Sequence, residues 1–450
     1  MGKRGEKSQL KTNLGYGVDL PSGKNFPIPL LNSGTSLSMQ MGDSPSLDAF
    51  GRQRVSSPKV LFDITTAYDK QDFFWEDVIT DVSGNAKTTH LPNESSVEMQ
   101  VGTSNTDQVI RQTLNHSKYQ PGKGQLILFT GILGAAKSNV RSRFGLFQDE
   151  NGFYYERDEN NLKIVHRDST SGTVVNTAIN QADWNADKLD GTGGSGITID
   201  SSLAQLFFID LAWLGVGRVR LGIINNGIAI IAHQFFFDNT RTTPYMTTAT
   251  LPVRAEITNT AATASITTMK LICVSVISES GQALTGVDYT ANNGSTSVNV
   301  GARNPVLSIK PNTVFPSTTI SNHIIIELQK FSAISFSSAV FYEIIYNPTL
   351  SGASWAVVNS SSGMQFDVAA TSITAGVVID SGYIPGNVRG GGQAASGDAI
   401  IGGLTSKLPI TLTNNESSST IVTLALTSIN ATGASSSSNC LGSFTWREIQ

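Results

Sequence analysis

Cysteine is nearly absent from this sequence: Cys273 and Cys440 are the two in 450 residues. They stand in what read as different domains, so a disulfide framework is not expected. No metal-binding cysteine spacing exists either. A chain with so little cysteine fits assembly in a reducing cytoplasm. Charge is scarce too. Asp, Glu, Lys and Arg make up 15% of the chain, against roughly 25% in an average soluble protein. The net charge of −4 gives no electrostatic footprint for nucleic acid. No uninterrupted apolar run approaches the ~18 residues that suggest a membrane helix. No apolar stretch follows the basic start Met1-Gly2-Lys3-Arg4, so a secretory leader is not expected. Glu6 stands where a myristoylation signal needs Ser or Thr.

What is plentiful is Gly, at 42 residues, with Ser, Thr and Val throughout. Few charges with many small and β-branched residues favour strands and turns over long helices. Residues 1–57 scatter Pro21, Pro27, Pro29 and Pro45 among Gly, Ser and Asn, and no period persists. They read as an extended N-terminal arm that lies across a neighbouring subunit. Residues 58–282 are dense in strand candidates. Some alternate, as in Arg141-Ser142-Arg143-Phe144-Gly145-Leu146-Phe147, and others are continuous, as in Leu206-Phe207-Phe208-Ile209. The mixture predicts a two-sheet sandwich with some strands facing water. Asn151-Gly152 and Asn226-Gly227 are hairpin signals. One short helix is expected over 73–79, capped by Asp72. Around 278–282 the composition becomes polar and flexible, and charges thin out beyond it. Residues 283–450 read as a second sandwich. The expected fold is therefore all-β, with two β-sandwich domains, one jelly-roll or lectin-like and one Ig-like, behind the arm.

Several stretches imitate chemistry. Residues 131–138 resemble a phosphate loop, but Ala136 precedes Lys137 where the motif needs Gly, and no helix follows. The glycine-rich 191–196 leads into a strand-like segment, not the helix a dinucleotide fingerprint opens. Asp183, Asp187, Asp190 and Asp200 flank that loop without the spacing of a calcium loop, so turns held by Asp side chains are the expected use. Trp184 lies beside the same loop, and packing is favoured for it. If it is exposed, Trp184 with Asp187 and Asp190 forms the candidate glycan contact. No two of the five histidines share a metal spacing. His233 and Trp213 read as core residues. Trp446 is expected to anchor the last strand in the second core. Neither metal nor cofactor is expected.

One set of motifs is familiar as a whole. Asp48-Ala49-Phe50-Gly51-Arg52-Gln53-Arg54-Val55 is followed by Leu61-Phe62-Asp63, Val101-Gly102-Thr103, Arg111-Gln112-Thr113 and Tyr119-Gln120-Pro121-Gly122-Lys123. Asp187-Lys188-Leu189-Asp190-Gly191 and Trp213-Leu214-Gly215-Val216-Gly217-Arg218-Val219-Arg220 come later. Over residues 47–282 this resembles uncharacterised virion structural proteins of marine and environmental tailed phages. The resemblance implies membership of a particle, assembled in the host cytoplasm, and transfers no catalytic residue. Alternating Arg52 and Arg54, and Arg218 and Arg220, place guanidinium forks on one face of an extended segment. There they suit either a subunit contact or an intradomain salt bridge. The functional expectation is a non-enzymatic virion component associated with the tail, neck or baseplate. Its partners are other virion proteins and copies of itself, as a trimer or hexamer, with host-surface glycan as a further partner. Nucleic acid and membrane insertion are not expected. The rival readings are a capsid decoration protein and a carbohydrate-binding or polysaccharide-degrading adsorption protein.

Overall fold

The computed structural model describes residues 56–281, 285–318, 320–385, 408–413, 419–429 and 437–449, and the backbone alone at 30–33, 36–39 and 396–400. Residues 1–57 cluster as one unit and 58–450 as another. In the first unit, Leu30–Ser33 pairs antiparallel with Ser36–Met39, a hairpin that the arm reading did not anticipate. Arg52 and Arg54 lie outside the described residues.

The second unit is all-β, as the composition predicts. Among the described residues its helices are two single 3₁₀ turns, Pro92–Glu94 and Gln181–Asp183, and no helix is long and apolar enough to cross a membrane. A seven-stranded sheet runs, edge to edge, Val175–Asn180, Asn161–Asp168, Gly152–Asp158, Val140–Phe147, Val253–Asn259, Gln108–Thr113 and Trp75–Thr80. An eight-stranded sheet opposes it: Ile228–Phe235, Val219–Asn225, Gln205–Leu211, Gln125–Ile132, Thr267–Ser278, Ser96–Val101 and Lys87–Leu91, with Lys59–Thr65 paired to Thr267–Ser278. Alternate residues of both sheets meet in one core. At its centre Phe129 stacks on Phe207 at 5.5 Å and meets Phe144 edge-on at 5.9 Å. The Tyr155 hydroxyl stands 2.8 Å from Gly222 O and 3.1 Å from Phe208 O, so one side chain ties the two sheets.

The second sandwich has a separate core. One sheet orders Val287–Asn292, Ser438–Ile449, Ile325–Ser335 and Ser396–Ile400, with Val298–Val300 also paired to Ser438–Ile449. The other orders Ala356–Val357, Met364–Asp367, Asn304–Pro311, Val422–Ser428, Val340–Tyr346 and Val377–Ile384. Trp446 is fully buried in that core, as expected.

Two local expectations need correction. The helix at 73–79 is instead a turn followed by the strand Trp75–Thr80. Gln71 takes a left-handed φ of 58°, and Asp69 Oδ1 accepts its N–H at 2.7 Å, which redirects the chain into the sheet beside Gln108–Thr113. Asn151-Gly152 is not the two-residue turn its sequence suggests. It closes a four-residue loop, with Gln148 N–H bonded to Asn151 O at 2.9 Å, while the Asn151 amide grips Thr247 at 2.7 and 3.0 Å. Asn226-Gly227 does form the tight turn, with φ of 51° and 79°.

Candidate functional site

The motif residues that carry the virion resemblance have architectural tasks. Arg111 is fully buried. Its Nη1 donates to Asp77 at 2.5 Å, its Nη2 to the Lys70 carbonyl, and its guanidinium lies 5.0 Å from the Trp75 ring. Gly102 leaves no room for a side chain, since a Cβ there would stand 1.7 Å from Ser83 Oγ. The Tyr119 hydroxyl accepts from Trp213 N at 3.0 Å. Gly217, whose Cβ would stand 1.9 Å from Ala212 O, closes a turn by donating to Trp213 O at 2.7 Å. Arg220 pairs with Asp210 across the neighbouring strand, the intradomain alternative for that arginine. Arg218 is exposed.

The Asp/Gly loop is likewise structural. Asp187 is buried, and its carboxylate accepts from Leu189 N at 2.9 Å and Ser195 N at 2.7 Å. Against the desolvation of burial, these N–H groups hold its pKa below the usual carboxylate range. Asp190 accepts from the Thr192 hydroxyl at 2.6 Å and N–H at 2.9 Å, and Asp200 does the same for Ser202. These are Asx turns. Among the described residues, no group of three or more His, Cys, Asp or Glu is placed to hold a metal. Trp184 is not available to stack on a sugar. It is 3% exposed, and its Nε1 donates to Ile179 O at 3.2 Å. The candidate glycan contact at Trp184, Asp187 and Asp190 is thereby corrected: the ring is core, and the carboxylates hold turns. Lys137 of the phosphate-loop imitation donates instead to Ser265 O at 2.5 Å and Ile266 O at 2.9 Å. His233 is buried, with Nδ1 accepting from Asn185 N at 3.2 Å. Trp213 is half-buried against the core.

Sequence reasoning assigned part of the alternating strands to water. The outward face of the seven-stranded sheet departs from that. There Phe147, Tyr154 and Val165 form a small apolar cluster of their own. Arg143, Glu156, Arg167, Arg254 and Glu256 surround it and are all buried. Arg143 bridges Glu156 at 2.8 Å and Glu256 at 3.0 Å, and Arg254 reaches Glu256 at 3.2 Å and Asp149 at 2.8 Å. Arg143 and Arg167 lie 5.1 and 5.3 Å from the Tyr154 ring centre.

Two concave sites lie where the two sandwiches meet. A cleft of about 600 Å³ is walled on one side by Gln148, Glu150, Ser169 and Thr248, and on the other by Phe315 and Ile320. A second cavity of about 370 Å³ shares Lys118 and His323 with it and adds Lys59, His116 and Glu327. His116 and His323, 207 positions apart, stack between the two at 4.3 Å with 23° between their planes. No sequence spacing announces this pair, because the contact is made only when the sandwiches dock. Burial first, and then the neighbouring His323 ring, push the His116 pKa well below the ordinary imidazole range.

That depression has a sign. A histidine kept neutral in the fold but free to protonate near 6.5 when unfolded contributes stability above that pH. The contribution fades as pH falls from there toward the folded pKa. His166, stacked on Phe153 at 4.7 Å, behaves alike, since burial pushes it down to about 4. With its folded value near 4, His166 contributes on the order of a few kcal/mol in this way. His116→Phe keeps a ring at the junction and removes its proton site. The denaturation midpoint of the wild type is expected to fall steadily below pH 6.5 and that of His116→Phe to fall less. Parallel pH profiles would contradict this account of the pair.

No family model and no curated protein matches the chain. Among solved structures it is similar to the legume lectin-like domain from Entamoeba histolytica, at 9% identity and TM-score 0.28, over 48% of this chain and 96% of that one. It is also similar to the CBM2 module of the evolved Dit of Lactobacillus casei BL23 phage J-1, at 6% identity and TM-score 0.32, over 51% and 100%. A glycoside hydrolase family protein from Mycobacterium thermorestibile gives 10% identity and TM-score 0.31, over 49% and 100%. Matches at these scores do not bear on function, and the fold rests on the sheets themselves.

Proposed function

We propose that this chain is a non-enzymatic structural component of a tailed-phage virion, associated with the tail, neck or baseplate. In this reading residues 58–282 are a platform and 283–450 a module mounted on it. The observation that carries it is the use made of the recognisable motif. Arg111, Gly102, Tyr119, Asp187, Gly217 and Arg220 hold turns, ion pairs and close approaches, and among the described residues of the motif the aliphatic Leu61 alone lines a cavity at the junction. An enzyme family is recognisable by residues that converge on a reacting centre. This one is recognisable by residues that fix a shape. Each cavity is lined by one carboxylate, Glu150 in the larger and Glu327 in the smaller, whereas glycoside hydrolysis ordinarily needs a facing pair. The experiment is localisation in intact particles by electron microscopy with a labelled antibody. Label on the tail, neck or baseplate is the expected result. Label spread over the head would establish a decoration protein instead, and unlabelled particles from an infection that produces the chain would overturn the reading.

A further inference from the structure

Gln148 lines the larger cleft and is only 9% exposed, yet its side-chain oxygen has no hydrogen-bond partner. An acceptor left in that state is unfavourable, and beside a cleft a bound partner is one way to satisfy it. The terminal amide torsion is broad, so the oxygen can turn toward the cleft without moving the backbone. The backbone there is fixed, because Gln148 O accepts from Arg167 Nη1 at 3.1 Å. A ligand that meets this oxygen must bring a donor.

The remaining lining narrows the class of ligand. Ser169 and Thr248 stand on the first sandwich. Ser169 meets the Thr247 hydroxyl at 3.5 Å and Thr248 accepts from Thr250 N at 3.1 Å, and since a hydroxyl both gives and takes hydrogen bonds, each keeps capacity for a ligand. Ile320, 68% exposed, and the half-buried Phe315 supply apolar surface on the facing wall. The charged pair Lys118 and Glu150 is of opposite sign, so the wall favours neither anion nor cation. An extended peptide would need an open strand edge to pair with. The strand residues in the lining, Ile325 and Ile449, already pair with each other. A volume of about 600 Å³ lies in the ordinary range for small-ligand sites.

We infer that the cleft binds a short, neutral saccharide segment, with the Gln148 amide accepting from a sugar hydroxyl and Ile320 and Phe315 meeting the C–H face of a ring. This deepens the virion reading, on which it rests for the source of the sugar, a host-surface glycan. The purified chain is tested on a printed array of neutral and charged bacterial surface oligosaccharides, with each hit measured by calorimetry. Neutral glycans are expected to bind. Gln148→Ala should weaken binding about tenfold, the equivalent of about 1.4 kcal/mol. Ile320→Arg, at an exposed position that folding does not depend on, should weaken it at least as much. An array with no neutral hit, a preference for charged glycans, or wild-type affinity in both variants overturns the inference. A glycan-binding chain that is missing from particles would sink the virion reading and leave the site standing. A particle-bound chain with a silent array would do the reverse.

Discussion

Trp446→Ala is expected to unfold the second sandwich and leave the first intact. Trp446 is among the largest fully buried side chains and packs in the second core. Its Nε1 donates to Glu448 Oε1 at 2.9 Å, and the same carboxylate accepts from Gly363 N at 2.8 Å and from the Ser362 hydroxyl. The substitution therefore opens a cavity and loosens a buried polar cluster together. A tryptophan truncated in a core costs about 3–5 kcal/mol, a large share of the ~5–15 kcal/mol that hold a domain. The two cores have no residue in common. Calorimetry of the variant should show a lowered transition for the C-terminal half and an almost unchanged one for the rest. A single transition that falls as a whole would mean the sandwiches share one cooperative unit, and would end the view of 283–450 as a separable module.

Glu256→Ala should cost about as much in the first sandwich, roughly 3–5 kcal/mol. Glu256 lies between Arg143 and Arg254 on the outward face of the seven-stranded sheet, and all three are buried. Removing the carboxylate leaves two guanidinium groups out of water with less to oppose them. Desolvation works against the charged form of Glu256, but the arginines win and keep its pKa below the usual value of 4.5. Its contribution is thus complete above about pH 4.5 and is lost as acid takes the pH down through the folded pKa. Urea titrations at neutral pH measure the cost directly. Replacing the buried network together, with Glu256→Leu, Glu156→Leu, Arg143→Met and Arg254→Met so that Glu156 is not left without Arg143, should recover most of it, since a buried ion network is often no better than packed apolar side chains. A loss below about 1 kcal/mol for Glu256→Ala would show that water reaches the layer and screens it.

Long alternating runs were the most legible part of the sequence. The alternating run at 141–147 falls within the strand Val140–Phe147, because one of its faces lies in a core. Lys59–Thr65, Lys87–Leu91 and Val287–Asn292 went unread. They are mainly half-buried or exposed, so no apolar face marks them, and their pairing partners lie up to about two hundred residues away. Trp75–Thr80 was misread as helical because local spacing carries no information about the turn at Gln71. The outward layer around Tyr154 was missed for a different reason: Arg, Glu and Tyr on alternate positions look like a solvated face whether or not something covers them. The junction cleft could not be read at all. Gln148, Thr248 and Ile320 belong to separate loops, and only the docking of two sandwiches gathers them.

The pairing order also sets a timetable for synthesis. The first sandwich includes the pairing of Lys59–Thr65 with Thr267–Ser278, so every strand of its sheets has emerged once residue 278 clears the ribosome. In the second, Ser438–Ile449 pairs with Val287–Asn292, Val298–Val300 and Ile325–Ser335, and each of those waits for it. Roughly 170 residues separate the two events, about 10–35 s at ordinary rates of elongation. During that interval a finished platform carries an unfinished sheet whose inner face is still apolar. That is the stage at which chaperones, or copies of the same chain on one polysome, have most to grip.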